Sequence, residues 1–173
     1  EWPIHVTHFV GVLVQFRNSA TRFGAVAQTL HWVTLILVAG AWILGQIGED
    51  LGGEGPRAAG IVAHVMIGFA VIVIFVIRLG WRLADPAPGA EPTSFGRWGE
   101  KLATAVQHLL LVLLIAAPIA GIAYQFARGE PLFVFGLFEI ASPLAVAKET
   151  ARSVKEAHEL LANALVFLAL GHG

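Results

Sequence analysis

The chain has 173 residues, 57% of them apolar and 13% charged, with a mean hydropathy of +0.74 and a formal net charge of −1. A soluble domain carries about a quarter charged residues, so this composition belongs to a chain solvated by lipid. Near-neutral charge excludes the basic stripe that nucleic acid requires. The absence of cysteine excludes disulfides, iron–sulfur ligation, cysteine-based zinc sites and covalent haem attachment.

The elements follow in chain order. Residues 1–16 form a segment of unknown role; its apolar patch, Phe9–Val14, has no Lys or Arg before it and so lacks the basic start of a signal peptide. Residues 17–173 read as one domain. Four apolar segments stand out in it, over about Phe23–Gly48, Ala58–Leu83, Leu102–Phe126 and Val154–Gly171. A bilayer core of about 30 Å takes roughly 20 helical residues to cross. The first three are long enough. The fourth is short and reads as a helix cut before its end, with more chain expected after Gly173. The expected fold is all-α, a transmembrane four-helix bundle running up, down, up, down.

The connections carry loop chemistry. Residues 48–56 are glycine-rich and acidic, and 85–99 hold Pro86, Pro88 and Pro92. The longest connection, 128–153, contains the apolar run Pro131–Phe138. We expect an interfacial helix or re-entrant turn there, or a cap on the bundle. Arg17 and Arg22 precede helix 1, and Arg78, Arg82, Arg97 and Lys101 flank the 2–3 connection. The 1–2 loop offers Arg57 against three acids. That balance favours a cytoplasmic N-terminus, although Arg128, Lys148, Arg152 and Lys155 in the 3–4 loop weigh the other way.

Seven histidines and the single Met66 are the available soft or nitrogen ligands. Five histidines lie in or at the ends of the apolar segments: His31, His64, His108, His158 and His172. An ionisable side chain in a membrane is costly and usually faces the bundle interior with a role. Depth sorts the five into two layers. His158 and His172 are fourteen residues apart on one helix, a rise of about 21 Å with a rotation of about 40°. Helix 4 therefore gives one histidine to each layer. The outer layer contains His64 and His158; the inner one contains His31, His108 and His172. A b-type haem takes two axial nitrogens from opposite faces. The outer pair is then His64 with His158. For the inner pair, with three candidates, we take His31 with His172 and place His108 beside them. Zinc is the competing metal, but it needs three or four ligands at one depth, which the inner trio could supply and the outer pair alone could not.

Other features have both a chemical and a plain reading. Gly68, one turn below His64, leaves room for a flat macrocycle or packs helices. Arg78 and Arg82 pair with haem propionates, line a quinone site or snorkel to headgroups. Pro118 is read as a kink. His5 and His8 lie outside the spans and are read as solvent or interface residues.

The ordered runs 21–32 (ending Thr29-Leu-His-Trp32), Ala63-His-Val-Met-Ile-Gly68, Val76-Ile-Arg-Leu-Gly-Trp-Arg82, Gln107-His-Leu109, Pro118-Ile-Ala-Gly121, 129–136 and Ala157-His-Glu-Leu-Leu-Ala-Asn163 resemble the bacterial cytochrome b561 family over nearly the whole chain. The resemblance implies a four-helix inner-membrane cytochrome with two haem b groups. It places His31, His64, His158 and His172 on the ligand positions and His108 on a recurrent helix 3 histidine of less certain role. It also implies electron exchange with the quinone pool, and one branch is similar to a superoxide oxidase.

Three functions follow as expectations. The first is a quinone-linked oxidoreductase with an outer donor, in which Lys148, Arg152 and Lys155 attract superoxide. The second is an anchor subunit for a dehydrogenase or hydrogenase, docking a redox protein on Leu132–Phe138. The third is an accessory haem-binding subunit of a larger membrane complex, with residues 1–16 contacting a partner. Membrane lipid is the shared partner of all three.

Overall fold

The computed structural model describes residues 14–48, 50–89, 96–144 and 147–172. His5, His8 and most of the N-terminal segment lie outside these residues. Four helices form in order: α1 Ala25–Ile47, α2 Glu54–Ala84, α3 Gly96–Ala127 and α4 Lys148–His172. The first three are long and apolar enough to cross a membrane. α4 spans 25 residues but spends its first three turns on Lys148, Glu149, Arg152, Lys155, Glu156 and Glu159. These charges make it longer than its apolar run, which begins only at Val154.

Successive helices alternate in direction. α1 packs mainly on α2, and α3 mainly on α4, so the bundle consists of two helical hairpins. We call the end where α1 stops and α2 starts the upper end. At the lower end the chain leading to α1 is tied to the end of α2. Asn18 Nδ2 donates to the carbonyls of Asp85 (3.0 Å) and Pro86 (3.1 Å), and the Asn18 backbone N–H donates to Asp85 Oδ2 (2.8 Å). Asn18 Oδ1 in turn accepts from the N–H of Gly24 (2.8 Å), the residue that caps α1. Asp85 is buried by this clasp, with Arg17 3.8 Å from its carboxylate.

The tightest packing lies midway along the helices. Val71, Leu113, Leu114 and Leu165 are buried, with Leu37, Val38, Phe75, Leu110, Leu161, Ala164 and Leu168 against them. Val38 is midway between His31 and Gly45, Val71 between His64 and Arg78, and Leu165 between His158 and His172. An apolar girdle therefore separates the two histidine layers. Outside it, large apolar side chains such as Trp32, Ile36, Val76 and Leu170 are exposed, as lipid-facing residues are.

The run after α3 is neither a helix nor an open turn. Leu132–Val134 and Phe138–Ile140 pair antiparallel as a short β-hairpin, with Leu132 opposite Ile140. Its aromatic and β-branched residues favour strands, and Gly136 supplies a positive φ at the bend. Phe135 also has a positive φ, of 49°. A non-glycine residue there costs about 1–2 kcal/mol. Its ring packs on Phe69 of α2 at 5.9 Å, which offsets the strain. The hairpin thus lies against the bundle, as the cap alternative expects.

Candidate functional site

The upper layer forms one cavity of about 450 Å³ between the two helical hairpins. His64 of α2 and His158 of α4 both line it. Their ring centroids lie 6.0 Å apart, with the planes at 84°.

Each ring is held by the partner helix of its own hairpin. His64 Nδ1 is 2.8 Å from the carbonyl of Ala41 on α1, and His158 Nδ1 is 2.9 Å from the carbonyl of Ala117 on α3. A carbonyl only accepts, so both Nδ1 atoms carry the proton. In the neutral ring the lone pair is then on Nε2. This is the arrangement of metal-ligating histidines, which donate their other N–H to a carbonyl or carboxylate.

A glycine completes each cradle. A Cβ on Gly45 would lie 3.2 Å from His64 Cε1, and one on Gly121 would lie 3.1 Å from His158 Cε1. The same pattern, alanine carbonyl then glycine one turn on, occurs as Ala41-Trp-Ile-Leu-Gly45 in α1 and Ala117-Pro-Ile-Ala-Gly121 in α3. In each, the alanine accepts the hydrogen bond and the glycine lets the ring approach the backbone. Ala117 also precedes Pro118, which stands inside α3.

The geometry fits a metal held between the rings. A metal–imidazole bond is about 2.0 Å, so two rings on opposite sides of one metal have centroids about 6 Å apart. The observed spacing agrees. The cavity also has the apolar walls a macrocycle needs, with Val38, Ile61, Val65, Ile72 and Leu114 among its lining. Gly68 lines it too, and nothing lies within 4 Å of where its Cβ would be. The cavity mouth carries Arg128 and Lys155, each beside an acid: Arg128 with Glu130, and Lys155 with Glu159 at 3.5 Å.

The lower layer is more open. His31 and His172 are both exposed, and Arg78 and His172 are near enough to His31 to act on it electrostatically. The His31 ring meets Trp32 edge-on at 5.7 Å. His108 is exposed on α3, where its Nδ1 is 2.7 Å from the carbonyl of Thr104 one turn earlier. That bond leaves Nε2 of His108 free. Arg78 is partly buried and Arg82 exposed, one turn apart on α2.

Sequence reasoning had named the two upper histidines but not what orients them. Gly45, Gly121 and the Ala41 and Ala117 carbonyls went unread. Their signal was the repeated Ala-x-x-x-Gly on the two helices that carry no upper histidine. Trp42 and Asn163 also went unread; the Trp42 Nε1–H donates to Asn163 Oδ1 across α1 and α4 at 2.8 Å.

Comparison with known proteins gives the family. The family model for prokaryotic cytochrome b561 matches residues 22–173. Cytochrome b561 homolog 2 of Escherichia coli (strain K12) is 33% identical over 162 residues, covering 92% of this chain and 85% of that protein. A probable superoxide oxidase, CybB, of Yersinia pestis is 31% identical over 85% of this chain and 82% of its own length. Cytochrome b562 of Cereibacter sphaeroides is 32% identical over 83% and 78% respectively. The chain thus belongs to the prokaryotic cytochrome b561 family, multi-pass bacterial membrane proteins that transfer electrons and whose cofactor is haem b.

Proposed function

We propose that this protein binds two haem b groups, one per histidine layer, and carries electrons from a donor at the upper side to the quinone pool. The observation that carries this reading is the opposed His64–His158 pair, with both Nδ1–H groups committed to carbonyls and both Nε2 atoms left for a metal. His31 and His172 are the corresponding lower ligands. The upper side is periplasmic in this reading, the N-terminus is cytoplasmic, and the membrane is the bacterial inner membrane.

Bound haem supplies reversible one-electron chemistry. The chain's residues do the rest. The Ala41 and Ala117 carbonyls hold the ligand tautomers, and Gly45 and Gly121 let the rings seat. The Val71–Leu113–Leu114–Leu165 girdle excludes water between the layers. Arg78 and Arg82 provide the donors of the lower end for propionates or a quinone carbonyl, while His108, whose Nδ1–H is committed to the Thr104 carbonyl, offers the Nε2 of its neutral ring there as an acceptor.

The kind of donor is suggested by the relative named as a probable superoxide oxidase. Lys148, Arg152 and Lys155 project from the first turns of α4 at the upper end and would draw an anion there. Their field is diluted by the Arg152–Glu156 pair at 2.9 Å and by Glu159 beside Lys155. A second reading, an anchor subunit for a redox protein, is favoured by the hairpin, which exposes Phe133, Leu137 and Phe138.

Stopped-flow measurement on the purified protein in detergent separates these readings. Superoxide from a xanthine oxidase source should reduce the haem spectrum, and a soluble ubiquinone analogue should reoxidise it. Reduction that needs a copurifying iron–sulfur protein would favour the anchor reading. Reduced protein that does not react with quinone would overturn the proposed acceptor.

A further inference from the structure

The two upper ligands belong to different structural units. His64 and its cradle lie in the α1–α2 hairpin, and His158 and its cradle in the α3–α4 hairpin. The gap between the two Nε2 atoms is therefore set by how the units sit against each other. The apolar girdle joins them near mid-membrane, seven residues from each ligand, or about 10 Å along the helix. With that lever, a tilt of about 6° between the units moves the facing rings by about 1 Å. Ligand sites tolerate only about half an ångström.

A second tie lies between the girdle and the ligands. Trp42 Nε1–H donates to Asn163 Oδ1 at 2.8 Å, joining α1 to α4. Among the described residues it is the side-chain-to-side-chain hydrogen bond that joins two of the long helices. Its ends are well placed. Trp42 follows Ala41, whose carbonyl holds His64, and Asn163 is five residues after His158. Both side chains line the cavity. The bond thus links the backbone that orients one ligand to the helix that carries the other.

We propose that Trp42 and Asn163 are a positioning pair, a strap that holds the two helical hairpins at the separation the His64–His158 ligation requires. Each side chain acts through the histidine on its side. The inference rests on the haem reading of the upper pair.

The test uses Trp42→Phe, Asn163→Leu and the double variant, each purified as the full chain with its haem. Haem release to excess apomyoglobin and the low-temperature EPR spectrum are read, with the upper signal assigned by its loss in His64→Leu. Losing a partner that orients a ligand typically weakens a metal site by about 10–100-fold. Each single variant should therefore release the upper haem at least about tenfold faster and shift its EPR signal, with the lower haem unchanged. The double variant should be no worse than either single, because all three break the same bond. Wild-type release and spectra in both singles would overturn the strap, as would independent, additive effects. Should Asn163→Leu fail to assemble, Trp42→Phe still decides, since it keeps an aromatic ring and removes the donor. Wild-type protein without an upper haem would instead sink the functional reading beneath the strap.

Discussion

Replacing Gly121 by alanine places a methyl carbon 3.1 Å from Cε1 and 3.3 Å from Nδ1 of His158. Carbon atoms in ordinary contact sit about 3.5–4.0 Å apart, so the ring must retreat by about half an ångström. Its hydrogen bond to the Ala117 carbonyl, now 2.9 Å, is then stretched beyond the useful range of about 3.2 Å. Losing that bond costs about 1 kcal/mol. Exchanging glycine for alanine inside a helix returns about 1 kcal/mol. The two nearly cancel, so the folded protein without cofactor should be as stable as before. The cofactor site does not share the gain. Its ligand loses both its seat and its orienting acceptor, for which a 10–100-fold loss of affinity is expected. The assay is haem per chain by pyridine haemochrome, with thermal unfolding of the haem-free protein in parallel. A Gly121→Ala protein that retains the full haem content and an unchanged spectrum would refute the cradle. A protein that simply fails to fold would refute the energy balance.

Other glycines give a contrast. Gly68 and Gly80 both have nothing within 4 Å of an added Cβ, but only Gly68 lines the cavity. Gly68→Ala should lower haem content because the methyl enters the cofactor's space, whereas Gly80→Ala should leave haem content alone and raise stability by about 0.5–1 kcal/mol; equal behaviour in a haem titration would contradict the placement. Asn18→Ala removes two donated bonds and the acceptor for Gly24 at the lower end. A loss of about 1–2 kcal/mol is expected in thermal unfolding, and an unshifted transition would mean the clasp is idle. Neutralising Lys148, Arg152 and Lys155 together should slow superoxide-driven reduction at low salt, with the difference fading as salt rises. An equal rate at low salt would remove the steering idea.

How much of this could be read from the chain depends on the scale of the signal. Helix number and the two histidine layers follow from apolar run length and from the fourteen-residue spacing of His158 and His172. Those depend only on helical rise and on the cost of polarity in lipid. The upper pair, as the structure brings it together, is the one that depth alone had singled out. The hairpin at 132–140 was harder, because a short apolar run carries no period that separates a turn of helix from a strand. The cradles were missed for a different reason. Gly45 and Gly121 look like ordinary packing residues until the histidine of the neighbouring helix is seen above each. The Trp42–Asn163 bond joins residues 121 positions apart, which no local pattern reveals. The clasp of Asn18 on Asp85 is equally non-local.

The central claim, a metal held between His64 and His158 with a second site below the girdle, is tested most directly by counting haem. Pyridine haemochrome quantitation and a reduced-minus-oxidised spectrum on the purified protein should give about two low-spin haem b per chain, falling to about one in His64→Leu. A chain that binds no haem, or a His64→Leu variant with an unchanged count, would contradict the account.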